Sequence, residues 1–140
     1  MFEQERIIIE QAWEDRSLLA KDEVKKAIRR TVEAVDKGVV RCAEPIDITN
    51  SKWQVNEWVK KAIIMYFPIQ TMRTMHAGEL EWYDKIELKH DYERLGVRVV
   101  PHAMARHGAY IAPGAVLMPS YVNIGAYVDT GTMVDTWATV

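Results

Sequence analysis

The sequence is short of cysteine, lacks any excess charge of one sign, and has no long apolar run. Each shortage narrows what the protein can be. One cysteine, Cys42, in 140 residues cannot form an internal disulfide, and such a chain suits a reducing compartment. Nothing beside Cys42 in the sequence resembles an activating base, so it reads as a half-buried strand residue rather than a nucleophile. The 18 Lys and Arg are interspersed with 20 Asp and Glu for a net charge of −2, which leaves no electrostatic footprint for nucleic acid. No apolar stretch approaches the roughly 20 residues that span a bilayer. The Met-Phe-Glu-Gln-Glu-Arg start lacks the basic region and apolar run of a secretory leader. These absences predict a cytoplasmic chain with no membrane and no nucleic-acid partner. Nor is there a low-complexity linker, so whatever units the chain contains should pack against one another.

What is present first reads as α/β. A hydrophobic share of 49% with 27% charged residues is that of a globular domain. The length allows one ordinary domain, or a small one plus the beginning of another. Ile8, Ile9, Ala12 and Trp13 recur at helical spacing within residues 3–16, and Glu3 and Glu5 suit the positive end of the helix dipole. A second helix is expected over 22–37, with Val24, Ile28, Val32 and Val35 on one face and Gly38 closing it. Residues 39–43 read as a strand that Pro45 ends, and Trp53 to Val55 as another. Asn56 is a candidate N-cap for a third helix that runs to about Phe67, where Pro68 stops it. Its Lys60 and Lys61 read as a solvated face. Strands are expected over 69–75 and 80–88 around Gly78, with Trp82 and Tyr83 packed on a neighbouring layer. A short helical piece over 92–96 and an apolar strand over 97–100, broken only by Arg98, complete this part.

The last forty residues have a different rhythm. Val116, Val122, Val128, Val134 and Val140 recur every sixth position. Ser120, Ala126, Thr132 and Ala138 stand four residues after the first four, and Asn123, Asp129 and Asp135 directly follow three of them. A period of six fits neither a helix nor an open strand. It is the signature of a hexapeptide parallel β-helix, in which valines stack inward and small residues let each corner close. The expected architecture is therefore an α/β N-terminal domain over residues 1–100, followed over 101–140 by the start of a left-handed β-helix. Four complete units make little more than one triangular coil, and solenoids become stable only by stacking about three or more repeats. That arithmetic, with Val140 opening a new unit, gives the expectation that the chain is the front part of a longer protein.

Three runs carry a closer resemblance: Gly96-Val97-Arg98-Val99-Val100-Pro101, the stretch from Leu117 to Asp129, and Gly131-Thr132-Met133-Val134-Asp135-Thr136-Trp137-Ala138-Thr139-Val140. Together with Trp58-Val59-Lys60-Lys61-Ala62 and Tyr83-Asp84-Lys85, they closely resemble the tetrahydrodipicolinate N-succinyltransferase family. The resemblance covers essentially the whole chain, continuous from Gly96 and patchier before it. It implies an enzyme of lysine and diaminopimelate biosynthesis that transfers succinyl from succinyl-CoA to the amino group of ring-opened tetrahydrodipicolinate. No bound cofactor is implied, and succinyl-CoA is a co-substrate. It also implies a homotrimer with active sites in grooves between adjacent β-helices. Tyr121, Tyr127 and Trp137 are large residues outside the inward register, and such a group of aromatics is expected at the interface between copies. The family's substrate-contacting arginine and aspartate fall on Arg98 and Asp135, the latter also catalytic. Most coenzyme A contacts and a catalytic glutamate would lie beyond Val140, so the 140 residues alone are expected to be inactive.

The residues agree with those two positions. A guanidinium matches a carboxylate with two parallel hydrogen bonds, which makes Arg98 in its apolar strand a plausible anchor for a dicarboxylate. An ion pair with an acid of the N-terminal domain is its other reading. Asp129 and Asp135 sit where a coil turns outward, and an acid there can simply bond turn backbone. An ordinary ammonium titrates near 10.4 and an ordinary Asp near 3.9, about six units apart. Such an Asp is better suited to orienting an amine than to deprotonating it unaided. His102 and His107 suggest a metal pair but lack a third ligand at suitable spacing, so no metal site is expected. Two rivals stay open: a non-catalytic trimerising module, and a sister transferase that uses acetyl-CoA on the same substrate.

Overall fold

The computed structural model describes residues 2–140. Three helices build the first core: α1 (Glu3–Glu14), α2 (Asp22–Asp36) and α3 (Glu57–Tyr66). Helix α2 buries Val24, Ala27, Ile28, Thr31, Val32 and Val35, a stripe at the spacing of one helical face. These side chains meet Ile9 and Ala12 of α1 and Val59, Ala62 and Met65 of α3, with Ile86 closing the cluster. Burying one such aliphatic side chain is worth roughly 1.5–3 kcal/mol. Thr31, a polar residue in this stripe, is satisfied because its hydroxyl donates to the Ala27 carbonyl at 2.9 Å.

The end of α2 shows why residues 39–43 do not form the expected strand. Gly38, at φ +70°, donates to the Val35 carbonyl at 3.0 Å, and Val39 donates to that of Ala34 at 2.9 Å. This Schellman closure consumes the amides that a strand would need. The strand instead begins later, as β1 (Ala43–Asp47), antiparallel to β2 (Lys52–Val55). Pro45 lies inside β1 opposite Trp53, just before a bulge. A two-stranded hairpin has open edges and tolerates a missing donor there. Asn56 precedes α3, but its side chain does not cap the helix. Its amide donates instead to the Arg41 carbonyl and to Glu44 Oε1, at 2.9 and 2.8 Å, tying the hairpin to the helix. Lys61 is likewise not merely solvated, because it pairs with Glu10 of α1.

A second hairpin follows, β3 (Arg73–Ala77) and β4 (Leu80–Asp84), closed at Gly78. It is shorter at both outer ends than the sequence predicts. A 3-10 turn over Phe67–Ile69 extends α3, and the residues after β4 leave to join the coil. Tyr83 is 67% exposed rather than packed on another layer. Helix α4 (Tyr92–Leu95) ends at left-handed Gly96.

The rest contains no helix. Seven two-residue strands run in order: β5 (Arg98–Val99), β6 (Met104–Ala105), β7 (Tyr110–Ile111), β8 (Val116–Leu117), β9 (Tyr121–Val122), β10 (Tyr127–Val128) and β11 (Met133–Val134). They pair only in parallel, as three ladders: β5-β8-β11, β6-β9 and β7-β10. Ala105, Ile111, Leu117, Val122, Val128 and Val134 are buried together in a second core. Val116 is therefore not an inward residue. It pairs with Arg98 and Met133 and is half-buried, while Leu117 pairs with Val99 and Val134 and is fully buried. The buried positions advance by six except across the turn at Pro119, from Leu117 to Val122, which is one residue short. Non-local pairing sets this register, and a shift of one residue turns a side chain to the opposite face.

The two cores meet along a bonded seam. Asp36 at the end of α2 accepts from Lys89 Nζ and from the Gly108 amide, both at 2.7 Å. Arg106 reaches Asp84 at 2.9 Å, and Leu88 bridges to Arg106. Ile124 packs against the helical core. At Gly108, φ is +88° and a Cβ would lie 2.6 Å from Ile124. Gly108→Ala should therefore destabilise the chain by about 2–4 kcal/mol, combining left-handed strain with overpacking, as urea unfolding would measure. A cost below about 1 kcal/mol would mean that the seam yields easily.

Candidate functional site

The turns between these short parallel strands share one local chemistry. Asn123, Asp129 and Asp135 each follow a buried valine, and each accepts through Oδ1 from the next backbone amide, at 2.9, 2.8 and 2.7 Å. A short polar side chain that bonds its own turn is the reason for an acid or amide at this place. Asp135 differs in its surroundings. Its Oδ2 has no hydrogen-bond partner among the described residues, and the side chain is exposed. Asp129 instead borders the N-terminal domain, in a hollow shared with Arg41, Cys42 and Trp53.

Arg98 stands on the outer face of β5, exposed, with no carboxylate within ion-pair distance among the described residues. The ion pair with the N-terminal domain is therefore not formed. Arg98 pairs with Val116, which pairs with Met133, two residues before Asp135. Asp135 follows β11 by one residue, in the turn that ends it. The two candidate residues thus lie at the outer strands of one parallel ladder, which stand two strand spacings of about 4.8 Å apart.

The other titratable groups sort away from this ladder. His107 is held between Glu33 and Asp36, at 3.6 and 3.5 Å, so it belongs to the seam. His76 lies 3.6 Å from Glu81 on the β3-β4 hairpin. No group of three His, Cys, Asp or Glu side chains able to hold a metal occurs among the described residues. Burial pushes the Cys42 thiol above its ordinary pKa, against a smaller opposing pull from Lys60, which keeps it protonated and unreactive at neutral pH. Tyr121 and Tyr127, expected as exposed interface residues, are engaged within the chain. The Arg41 guanidinium lies 3.2 Å from the centre of the Tyr127 ring, Tyr110 stacks beside it at 4.6 Å, and Arg106 approaches Tyr121.

Trp137, the third aromatic outside the inward register, has no such partner within the described residues. It is 80% exposed and adopts φ +60°, three residues after Val134. Gly125 and Gly131 hold the same turn position after Val122 and Val128, with φ of +94° and +70°. A left-handed conformation costs a non-glycine residue roughly 1–2 kcal/mol. The signal was present in the sequence, because Asn-Ile-Gly and Asp-Thr-Gly give way to Asp-Thr-Trp. The ring borders a cleft of about 810 Å³ between the β3-β4 hairpin and the turn from Pro101 to Met104, which His90 and His102 also line.

Comparison with known proteins gives a consistent result. Residues 5–69 match a family model described as the N-terminal domain of tetrahydrodipicolinate N-succinyltransferase. Proteins named 2,3,4,5-tetrahydropyridine-2,6-dicarboxylate N-succinyltransferase are similar over most of the chain. One from Coxiella burnetii is 49% identical over 116 residues, covering 77% of this chain and 42% of that protein. The Legionella pneumophila protein is 48% identical over 115 residues (75% and 41%), and that of Bordetella pertussis 49% over 114 residues (74% and 41%). The chain thus spans about 42% of the length of these relatives.

Proposed function

We infer, for a chain that belongs to the tetrahydrodipicolinate N-succinyltransferase family, that it supplies the acceptor side of a succinyl-transfer site. On this reading its short parallel ladders begin a left-handed β-helix that follows an N-terminal domain over about residues 1–100. The assembled protein is a cytoplasmic homotrimer serving lysine and diaminopimelate synthesis. The acceptor is the ring-opened tetrahydropyridine dicarboxylate, and the donor is succinyl-CoA.

The chemistry asks for two things at the acceptor. Its carboxylate must be held, and its amine must face the thioester with a lone pair free. Arg98 offers a guanidinium that no acid among the described residues neutralises, and Asp135 offers an oxygen that the turn does not use. The parallel ladder that joins Arg98 through Val116 to Met133, two residues before Asp135, is the observation that supports the assignment. Nitrogen attacks the thioester carbonyl, a C–N bond forms as the C–S bond breaks, the amine loses a proton and the departing thiolate gains one. Asp135 orients the amine and shares in removing its proton, while Arg98 anchors the substrate through both steps.

The test is a chimera that joins residues 1–140 to the remaining length of the Coxiella burnetii relative, assayed for thiol release with the dicarboxylate. Turnover with succinyl-CoA is expected, and none from residues 1–140 alone. Preference for acetyl-CoA would reassign the donor, and a folded but inert chimera would favour an assembly role. In the active chimera, Arg98→Ala should raise the Michaelis constant for the dicarboxylate about ten- to a hundredfold, the value of a charge-assisted contact. Its turnover number should change little. An unchanged Michaelis constant would remove Arg98 from the site.

A further inference from the structure

We propose that the free edge of β3 is a docking site for an acidic, extended peptide segment of a partner protein, which adds to the hairpin as a third strand. Register identifies the edge. Ala77 and Leu80 close the loop of Gly78 and Glu79 as a hydrogen-bonded pair, and alternation makes Met75–Trp82 and Arg73–Asp84 the next such pairs. Thr74 and His76 therefore turn their N–H and C=O groups away from β4. No backbone group outside the hairpin takes them among the described residues.

The edge opens into a cleft of about 810 Å³ whose opposite wall is the turn from Pro101 to Met104. All five residues of β3 line it, although Thr74 and His76 point to the other face of the hairpin from Arg73, Met75 and Ala77. A cleft that runs along the strand's edge meets both faces, whereas one beneath the hairpin would meet only one. Native sheets often block an open edge with proline or a bulge. Strand β1 has both, in Pro45 and the register shift after it, whereas β3 has neither.

The walls select the partner. Arg73, His76, His90 and His102 offer N–H donors, and no Asp or Glu is among the lining residues. Their own acids hold two of them loosely: Arg73 meets Glu87 at 3.9 Å and His76 meets Glu81 at 3.6 Å, with all four side chains more than half exposed. A carboxylate arriving on the added strand can displace pairs of that kind. Met75, Leu80, Trp82, Leu88 and Met104 supply the apolar part of the lining, so the segment that fits carries both apolar and acidic side chains. Main-chain bonds to Thr74 and His76 give such a strand its affinity, and the side-chain walls give it selectivity. A third strand would also support the hairpin, because two strands alone are marginally stable. Nothing in this docking uses Arg98 or Asp135, so it stands or falls apart from succinyl transfer.

The probe is a blocked hexapeptide of alternating valine and glutamate, titrated into the 140-residue chain by calorimetry, with amide hydrogen exchange followed by NMR. Saturable one-to-one binding is expected, with exchange at Thr74 and His76 slowed at least about tenfold. The same peptide with lysine in place of glutamate should bind at least about tenfold more weakly. Arg73→Gln should weaken binding of the glutamate peptide about tenfold. Thr74→Pro removes one outward N–H and no bond to β4, so it should weaken binding about three- to tenfold. If that proline disrupts the hairpin, Arg73→Gln and the exchange measurement still decide. No saturation at millimolar peptide, equal binding of the lysine peptide, or binding that leaves both amides exchanging freely would overturn the proposal. So would slowed exchange at Thr74 and His76 that grows with protein concentration without peptide, which would make a second copy of the chain the occupant.

Discussion

Replacing Asp36 with alanine is expected to cost the chain about 3–5 kcal/mol, the usual result of removing one partner of a buried ion pair. The Lys89 side chain is 7% exposed and that of Asp36 17%, so little water can take over when the carboxylate is lost. The same carboxylate oxygen also accepts the Gly108 amide, which would be left without a partner in a largely buried place. Domains of this size are stable by roughly 5–15 kcal/mol in all, so the loss is a large part of the total. It should appear in urea unfolding as a lower midpoint. The sign of a second measurement tests the cause. Asp36→Leu combined with Lys89→Met removes both charges and should recover most of the stability, because an apolar pair often replaces a buried ion pair at little cost. A single-variant loss under about 1 kcal/mol would show that water reaches the ammonium and that the seam is held by packing alone.

Asp135→Asn in the active chimera should lower the turnover number by about 10²–10⁴-fold, the range for a group that takes part in proton transfer. The substitution isolates charge from structure. Asparagine keeps a carbonyl oxygen at Oδ1, so the bond from the Thr136 amide survives and the turn should not move. Asn123 already fills the equivalent place in an earlier coil. The matched control is Asp129→Asn, which alters the same kind of turn bond to Thr130 away from the proposed site and should leave turnover within about twofold, since its carboxylate has only the turn to serve. Equal losses from the two substitutions would mean that the acid supports the coil generally. Wild-type turnover for Asp135→Asn would remove it from the mechanism.

Much of the site was legible because it is written locally. Asp135 follows a buried valine in a turn tripeptide, and its bond to the next amide needs only its own backbone. Arg98 interrupts an apolar run, and the strand alternation that exposes it is a property of residues 97–100. Trp137 was legible in principle, as the break in a run of turn glycines. Other features could not be read this way. The sequence pairs Val116 with Val122 by period, yet Leu117 is the buried residue, because ladder bonds to Val99 and Val134 outweigh a rhythm that skips one position at Pro119. Tyr121 and Tyr127 look like free interface aromatics until Arg41 of the N-terminal domain is seen to cover Tyr127 and Arg106 to approach Tyr121.

The sequence by itself determined the three helical faces, the glycine closure of α2, the six-residue rhythm of short strands and turns in the last forty residues and the polarity of each turn. All of these depend on residues within one or two turns of one another, where side-chain periodicity and backbone preference act directly. Only the tertiary structure decided the inward register of β8, the ladder that joins Arg98 to the strand before Asp135, the Asp36 seam and the cleft beneath Trp137. Each of those joins residues far apart in the chain, 18 between Arg98 and Val116 and 53 between Asp36 and Lys89. Such contacts are chosen by competition for burial and for hydrogen-bond partners in the folded molecule, a contest that no local pattern records.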